Sequence, residues 1–213
     1  HFFGTLILTE GEREEQISRH MLIDGQQRLT TLTVLLARGV QALARRTDAS
    51  DEHMDFCKDV DKVLRNRRAK KPEHAFKVWP TAKDQVHYSA LMRGDPTPKG
   101  NRFSRLAQFL DTRFNCAQEF ESAESLYSFL EKVLNAGFTV SIEMGSSDNI
   151  CAVFSSINGK GCPLKPMDLL KNLILMRADI GLTEAYERYW KPVEADITDE
   201  ELEKLFRKIV LAM

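Results

Sequence analysis

The hydrophobic pattern changes its period once, within five residues, and that change constrains the fold more than any other feature of the chain. Residues 17–23, ISRHMLI, read as a strand. From Leu29, the apolar residues Leu29, Leu32, Leu35, Leu36, Val40 and Leu43 recur at helical spacing up to about Arg46. Asp24-Gly25-Gln26-Gln27-Arg28 stands between the two. Gly25 allows a tight turn and a close approach to the backbone. The following residues fall at a helix N-terminus, where unpaired N–H groups and the dipole attract anions. Arg28 adds a planar cation matched to phosphate oxygens. Gln26 and Gln27 can bond a base, a ribose or a water, and Asp24 offers a carboxylate for Mg2+. The competing explanation is a plain helix start, with Asp24 as cap, solvated glutamines and Arg28 paired with an acid.

Around this joint the sequence predicts an α+β protein: a small sheet and a larger, mostly helical region. FFGTLILT, residues 2–9, reads as a buried strand, EGEREEQ as a charged turn, and 17–23 as its hairpin partner. Four segments between about 51 and 135 carry helical periodicity, and GFTVSIEM, 137–144, alternates as a third strand with Phe138, Val140, Ile142 and Met144 on one side. Arg45 and Arg46 fall where a helix dipole favours positive charge. Asp148 begins a short helix, NGKGCPLKP turns, and Pro166 opens PMDLLKNLILMRADI. TEAYERYW and TDEELEKLFRKIVLAM follow, the latter with a Thr198–Glu201 capping box. The expected organisation is a core of 1–46 with 137–178, a helical insertion at 47–136 and a helical extension at 179–213.

Composition excludes little. Lys plus Arg number 30 against 31 Asp plus Glu, so a nucleic-acid surface must be a local patch. RNRRAKK, 65–71, is the best such patch, with Arg65, Arg67 and Arg68 as candidate DNA-phosphate contacts; the alternative is a solvated helix end. Cys57, Cys116, Cys151 and Cys162 lack zinc-ligand spacing and read as reduced thiols of a cytoplasmic protein. No apolar run suits a membrane span. The chain opens on His1 and stops at Met213 within a helical pattern, so a piece of a longer polypeptide is expected.

A second motif, FSSINGKGCPLKPMDLLKN, follows at 154–172. It reads as helix, turn, helix, with Asp168 and Lys171 close enough to pair and Asn158 free to reach a nucleotide from the loop. Its GKG is not a Walker A loop. FFGTLIL, MLIDGQQRLTTLTVLL and AVFSSINGKGCPLKPMDLLKNLIL, in this order, resemble the DGQQR-motif N-terminal domain of the GmrSD-type modification-dependent (type IV) restriction family. All of Asp24 to Arg28 matches, as do Phe154, Asn158, Gly161, Leu164, Asp168, Leu169, Lys171 and Asn172. The resemblance implies a ParB/sulfiredoxin-like fold whose strand–turn–helix binds nucleotide phosphates. It also implies NTP hydrolysis with Mg2+, linked to recognising modified phage DNA, and an HNH nuclease domain in the same or a partner chain.

The family's upstream Gln-Arg and aromatic motif would fall before His1, and no His-Asn-His pattern occurs before Met213. Autonomous HNH cleavage by this stretch is therefore not expected. The roles implied are catalytic for Asp24, Gln26, Gln27 and Arg28, and nucleotide-binding for Gly25, Arg28, Asn158 and Lys171, with Asp24 on the metal. The alternatives are a non-hydrolysing ParB-like switch or DNA-binding module, or a Mg-dependent DNA-nicking component. Oligomeric state stays open between monomer and homodimer.

Overall fold

Strand β1 (Phe2–Glu14) runs from the apolar FFGTLIL into GERE, β2 (Ile17–Asp24) follows, and β3 (Phe138–Met144) arrives much later in the chain. They form one mixed sheet in the order β2-β1-β3. The computed structural model describes residues 1–14, 17–71, 74–80, 82–96, 100–145, 184, 186–198, 200–202, 204, 205 and 208. The helix expected from Asp148, the second motif at 154–172 and the helix from Pro166 lie outside them.

One strand expectation needs correction. The charged stretch expected as a turn instead continues β1 to Glu14. Strand propensity is a weak, context-dependent preference, whereas the ladder bonds of a hairpin join backbone groups whatever the side chains. In β3 the apolar side is not buried along its length: Phe138 is 58% and Val140 49% exposed, and only Met144 is buried. Alternation decides which residues share a face, not whether that face is covered. Phe138 meets the ring of Phe2, with centroids 5.4 Å apart.

The helices are α1 (Gln26–Leu43), α2 (Asp51–Leu64), α3 (Ala82–Arg93), α4 (Arg102–Cys116) and α5 (Ala123–Asn135), with a 3-10 turn at Gln118–Phe120. α1 packs against each of α2 to α5. Its Val34 and Leu43 are fully buried, as are Val60, Tyr88, Leu91, Leu126 and Leu130 from the surrounding helices. Each aliphatic side chain so buried contributes roughly 1.5–3 kcal/mol. Ser50, Asn101 and Ser122 cap α2, α4 and α5 by accepting the N–H of the residue three further on. α1 both starts and ends three residues earlier than the apolar pattern predicts. Gln and Arg are good helix formers, so the polar joint itself joins the helix. At the other end Ala44 is the C-cap, and Arg45 and Arg46 lie beyond it rather than in the last turn.

The chain divides into two compact units: His1–Leu6 with Asp24–Ser141, and Ile7–Ile23 with Ile142–Met213. The first holds the helical core and the joint at 24–28. In the second, the described buried residues include Ile7, Ile23, Met144, Trp190 and Leu202. There a π-helical turn at Tyr186–Trp190 precedes α6 (Lys191–Asp196), and the Thr198–Glu201 capping box forms as expected. Among the described residues no helix is long and apolar enough to cross a membrane.

Candidate functional site

The strand–helix joint lies wholly in the first unit. Asp24 ends β2, Gly25 is the N-cap of α1, and Gln26, Gln27 and Arg28 are its first three residues. Gly25 has φ +91°, a left-handed conformation, and makes no side-chain cap bond, so the cap expected from Asp24 is not there. The Gly25 carbonyl accepts the N–H of Leu29 at 2.9 Å and starts the helix. No acidic residue stands in the first turn, which leaves the positive end of the dipole without a carboxylate of its own helix. Gln26, Gln27 and Arg28 are exposed, Gly25 is buried, and Asp24 is intermediate.

Asp24 is instead taken by Arg28, one turn further on. Arg28 Nη2 donates to Asp24 Oδ2 at 2.7 Å and to the Thr5 carbonyl of β1 at 2.7 Å. The Arg28 side chain remains 42% exposed and that of Asp24 17%. Both bonds are made by Nη2, and the N–H groups on Nε and Nη1 take no part in them. One element of the plain-helix explanation, an arginine paired with an acid, therefore coexists with a guanidinium that still reaches water. Sequence reasoning passed over β1 as part of this site. Gly4 and Thr5 lie against the guanidinium: a Cβ on Gly4 would be 2.1 Å from Arg28 Nη1. The signal in the sequence was an isolated glycine inside an apolar strand, which marks a bulge or a close approach.

Asp24 is a single carboxylate with one oxygen on Arg28, and among the described residues no group of three His, Cys, Asp or Glu gathers to hold a metal. This donor set does not fit an ion held by protein alone. It fits Mg2+ carried mainly by phosphates, to which a protein often gives only one or two carboxylates. Asn158 and Lys171 lie outside the described residues.

The basic run begins at Arg65, the C-cap of α2, and continues as a loop. Its base is closed by Asn66 N–H to the Ala75 carbonyl (2.9 Å) and Lys77 N–H to the Leu64 carbonyl (3.0 Å). Arg65 belongs to that base: its Nε donates to Asp61 at 2.6 Å and its guanidinium lies 4.9 Å from the centre of the Phe76 ring. Arg67, Arg68 and Lys70 are exposed. Trp190 is buried, Trp79 is 38% exposed, and Cys57 and Cys116 are free thiols.

Fold and joint together define an α+β domain in which a strand, a left-handed glycine and a helix start present a fixed arginine to solvent. Residues 1–175 match the family described as GmrSD restriction endonuclease, N-terminal domain, and the chain belongs to that family. It is thus a component of a phage-defence restriction protein. No curated protein matches the chain.

Proposed function

We propose that this chain is the nucleotide-binding and NTP-hydrolysing sensor module of its restriction protein, controlling an HNH nuclease domain in the same or a partner chain. The observation that carries the reading is Arg28: exposed at the N-terminus of an 18-residue helix, yet held by the backbone of a neighbouring strand. Arg28 and the first N–H groups of α1 hold phosphate oxygens. Gly25, buried against Leu6 and the Thr5 carbonyl, supplies the tight turn that sets the helix start beside Arg28. Gln26 and Gln27 position water or nucleotide, and Asn158 and Lys171 add contacts from the second motif. Asp24, through its remaining oxygen, would help hold a phosphate-bound Mg2+, which would supply neutralisation of phosphate charge. Phosphoryl transfer asks mainly for such positioning and charge neutralisation. Modified phage DNA is the sensed partner, its phosphates met by Arg67 and Arg68 while Arg65 seats the loop that carries them.

Calorimetry of the intact protein with each NTP and Mg2+ tests the reading. Binding in the wild type and its loss in Arg28→Ala are expected; equal binding in both discards the phosphate site. The Asp24–Arg28 bond favours a second reading, a ParB-like switch without turnover, because the carboxylate that would order a water is already engaged. Phosphate release per NTP separates the two. Plasmid nicking abolished by Asp24→Ala would instead favour the nicking alternative.

A further inference from the structure

Gly4 stands where an apolar strand ordinarily places a β-branched or aromatic side chain. Its φ is +98°, and a Cβ added there would meet Arg28 Nη1 at 2.1 Å, Cζ at 3.0 Å and Cδ at 3.4 Å. All three nearest atoms belong to the one arginine. The next residue, Thr5, turns its carbonyl to Nη2 of the same guanidinium at 2.7 Å. On the helix side, a Cβ on Gly25 would meet Leu6 Cδ2 at 2.4 Å, the Thr5 carbonyl at 3.2 Å and Arg28 Nη2 at 3.4 Å. The guanidinium thus lies in a slot between two stretches of bare main chain, one on β1 and one at the start of α1. A side chain at position 4 would fill that slot and expel the arginine from it.

We propose that Gly4 is a positioning residue for Arg28: its missing side chain leaves the slot that lets Thr5 and Asp24 fix the guanidinium before any ligand arrives. Holding the cation in place beforehand avoids the cost of ordering a long, flexible side chain on binding. The inference rests on the phosphate reading only for the identity of the ligand, an anion of the phosphate class. That the slot positions Arg28 is independent of it.

The test uses the intact protein and inorganic pyrophosphate as probe. Gly4→Ala should weaken pyrophosphate binding about as much as Arg28→Ala does, about ten- to a hundredfold, the range of a lost charge-assisted hydrogen bond. In the Arg28→Ala background, Gly4→Ala should weaken binding no further. Gly100→Ala supplies the control for backbone strain: φ there is +92° with nothing within 4 Å of an added Cβ, so binding should be unchanged. A readout free of ligand is the Arg28 Nη2–H resonance, the nitrogen bonded to Thr5 and Asp24, expected to be exchange-protected in the wild type and to lose that protection in Gly4→Ala.

Should Gly4→Ala alone fail to fold, Gly4→Ala/Arg28→Ala should be the more stable of the two, because deleting the guanidinium opens the space while the strain of φ +98° is common to both; a double variant no more stable than Gly4→Ala would overturn the proposal. If Arg28→Ala abolishes binding and Gly4→Ala does not, Gly4 has no positioning role while the phosphate site stands. If Arg28→Ala leaves binding intact, the phosphate reading falls. The Nη2–H signal then decides the slot alone: lost protection in Gly4→Ala upholds it, and an unchanged signal overturns it.

Discussion

Helix α1 has one arginine in its first turn and another past its middle, with Arg46 just beyond its end, and the two regions use them differently. Arg38, whose side chain is 10% exposed, donates Nε at 2.9 Å and Nη2 at 2.6 Å to Asp111 Oδ1 of α4, Nη2 also to Oδ2, and Nη1 to Gln41 at 2.8 Å. Arg46, just past the helix, gives Nη1 to the Glu121 carbonyl at 2.9 Å and Nη2 to the carbonyls of Phe114 (2.7 Å) and Phe120. Those carbonyls lie at the end of α4 and in the turn after it, where helix geometry leaves acceptors without partners. Arg28 commits one nitrogen and keeps its side chain 42% exposed. What an arginine does is set by how many of its five N–H groups the fold has already engaged. Nearly all are engaged at Arg38, and its energy goes into tertiary structure.

Removing Arg38 should therefore give the largest effect on stability. Arg38→Ala strands Asp111 and parts α1 from α4, and should cost about 2–3 kcal/mol, below the full cost for a buried pair because Asp111 is itself partly exposed. The denaturant midpoint reads this directly, and pyrophosphate affinity should not change. A loss under about 1 kcal/mol would erase the contrast between the two regions. Arg28→Ala is the converse. Its pair with Asp24 is solvent-facing, so stability should move by less than about 1 kcal/mol while anion binding falls. A large drop in stability with unaltered binding would turn Arg28 into another structural arginine.

The basic loop carries the same contrast on a smaller scale. Arg65 has committed its guanidinium to Asp61 and Phe76, whereas Arg67 and Arg68 are exposed. Reversing Arg67 and Arg68 to Glu should flatten the salt dependence of DNA binding, lowering the slope of log K against log salt by about 0.9 for each DNA phosphate that is no longer neutralised. An unchanged slope would remove this loop from the DNA surface.

The sequence made these distinctions only partly legible. Helical periodicity located α1 to α5, and the change of period located the joint, because both are properties of neighbouring residues. The continuation of β1 through a charged stretch was not legible, since ladder bonds depend on a partner strand. Gly4 marked a close approach without naming its partner, and the roles of Thr5 and Arg46 were not legible. Each depends on groups brought together across 23 residues or more, such as Arg28 with Thr5 and Arg46 with Glu121, which no local pattern encodes. Arg28 as candidate anchor was legible by chemistry; its attachment to β1 was not.

The smallest expected effect concerns a carboxylate that does for a helix start what Arg46 does for a helix end. Asp48 accepts the N–H of Ala123, the first residue of α5, at 2.7 Å. That backbone bond is the main cause holding its carboxyl below the ordinary value of 3.8; Arg46 and His53 nearby act in the same direction, and burial opposes them. A carboxyl depressed in the folded state contributes stability that is fully present above its unfolded value and is lost as pH falls through the folded one. The window for Asp48 therefore lies below about pH 4, and nothing from this group should change between about pH 5 and 8. Asp48→Asn keeps an oxygen for Ala123 but no charge at the helix N-terminus, so it should be slightly less stable than wild type at about pH 7 and converge on it in acid. Glu201, also held low by its bonds to Thr198, titrates in both proteins and cancels in the difference. Denaturant midpoints of the two proteins from about pH 7 down to about pH 2 give the comparison. Curves that stay parallel throughout would mean that the charge on Asp48 adds nothing to the bond, and that α5 is started by its Ser122 cap alone.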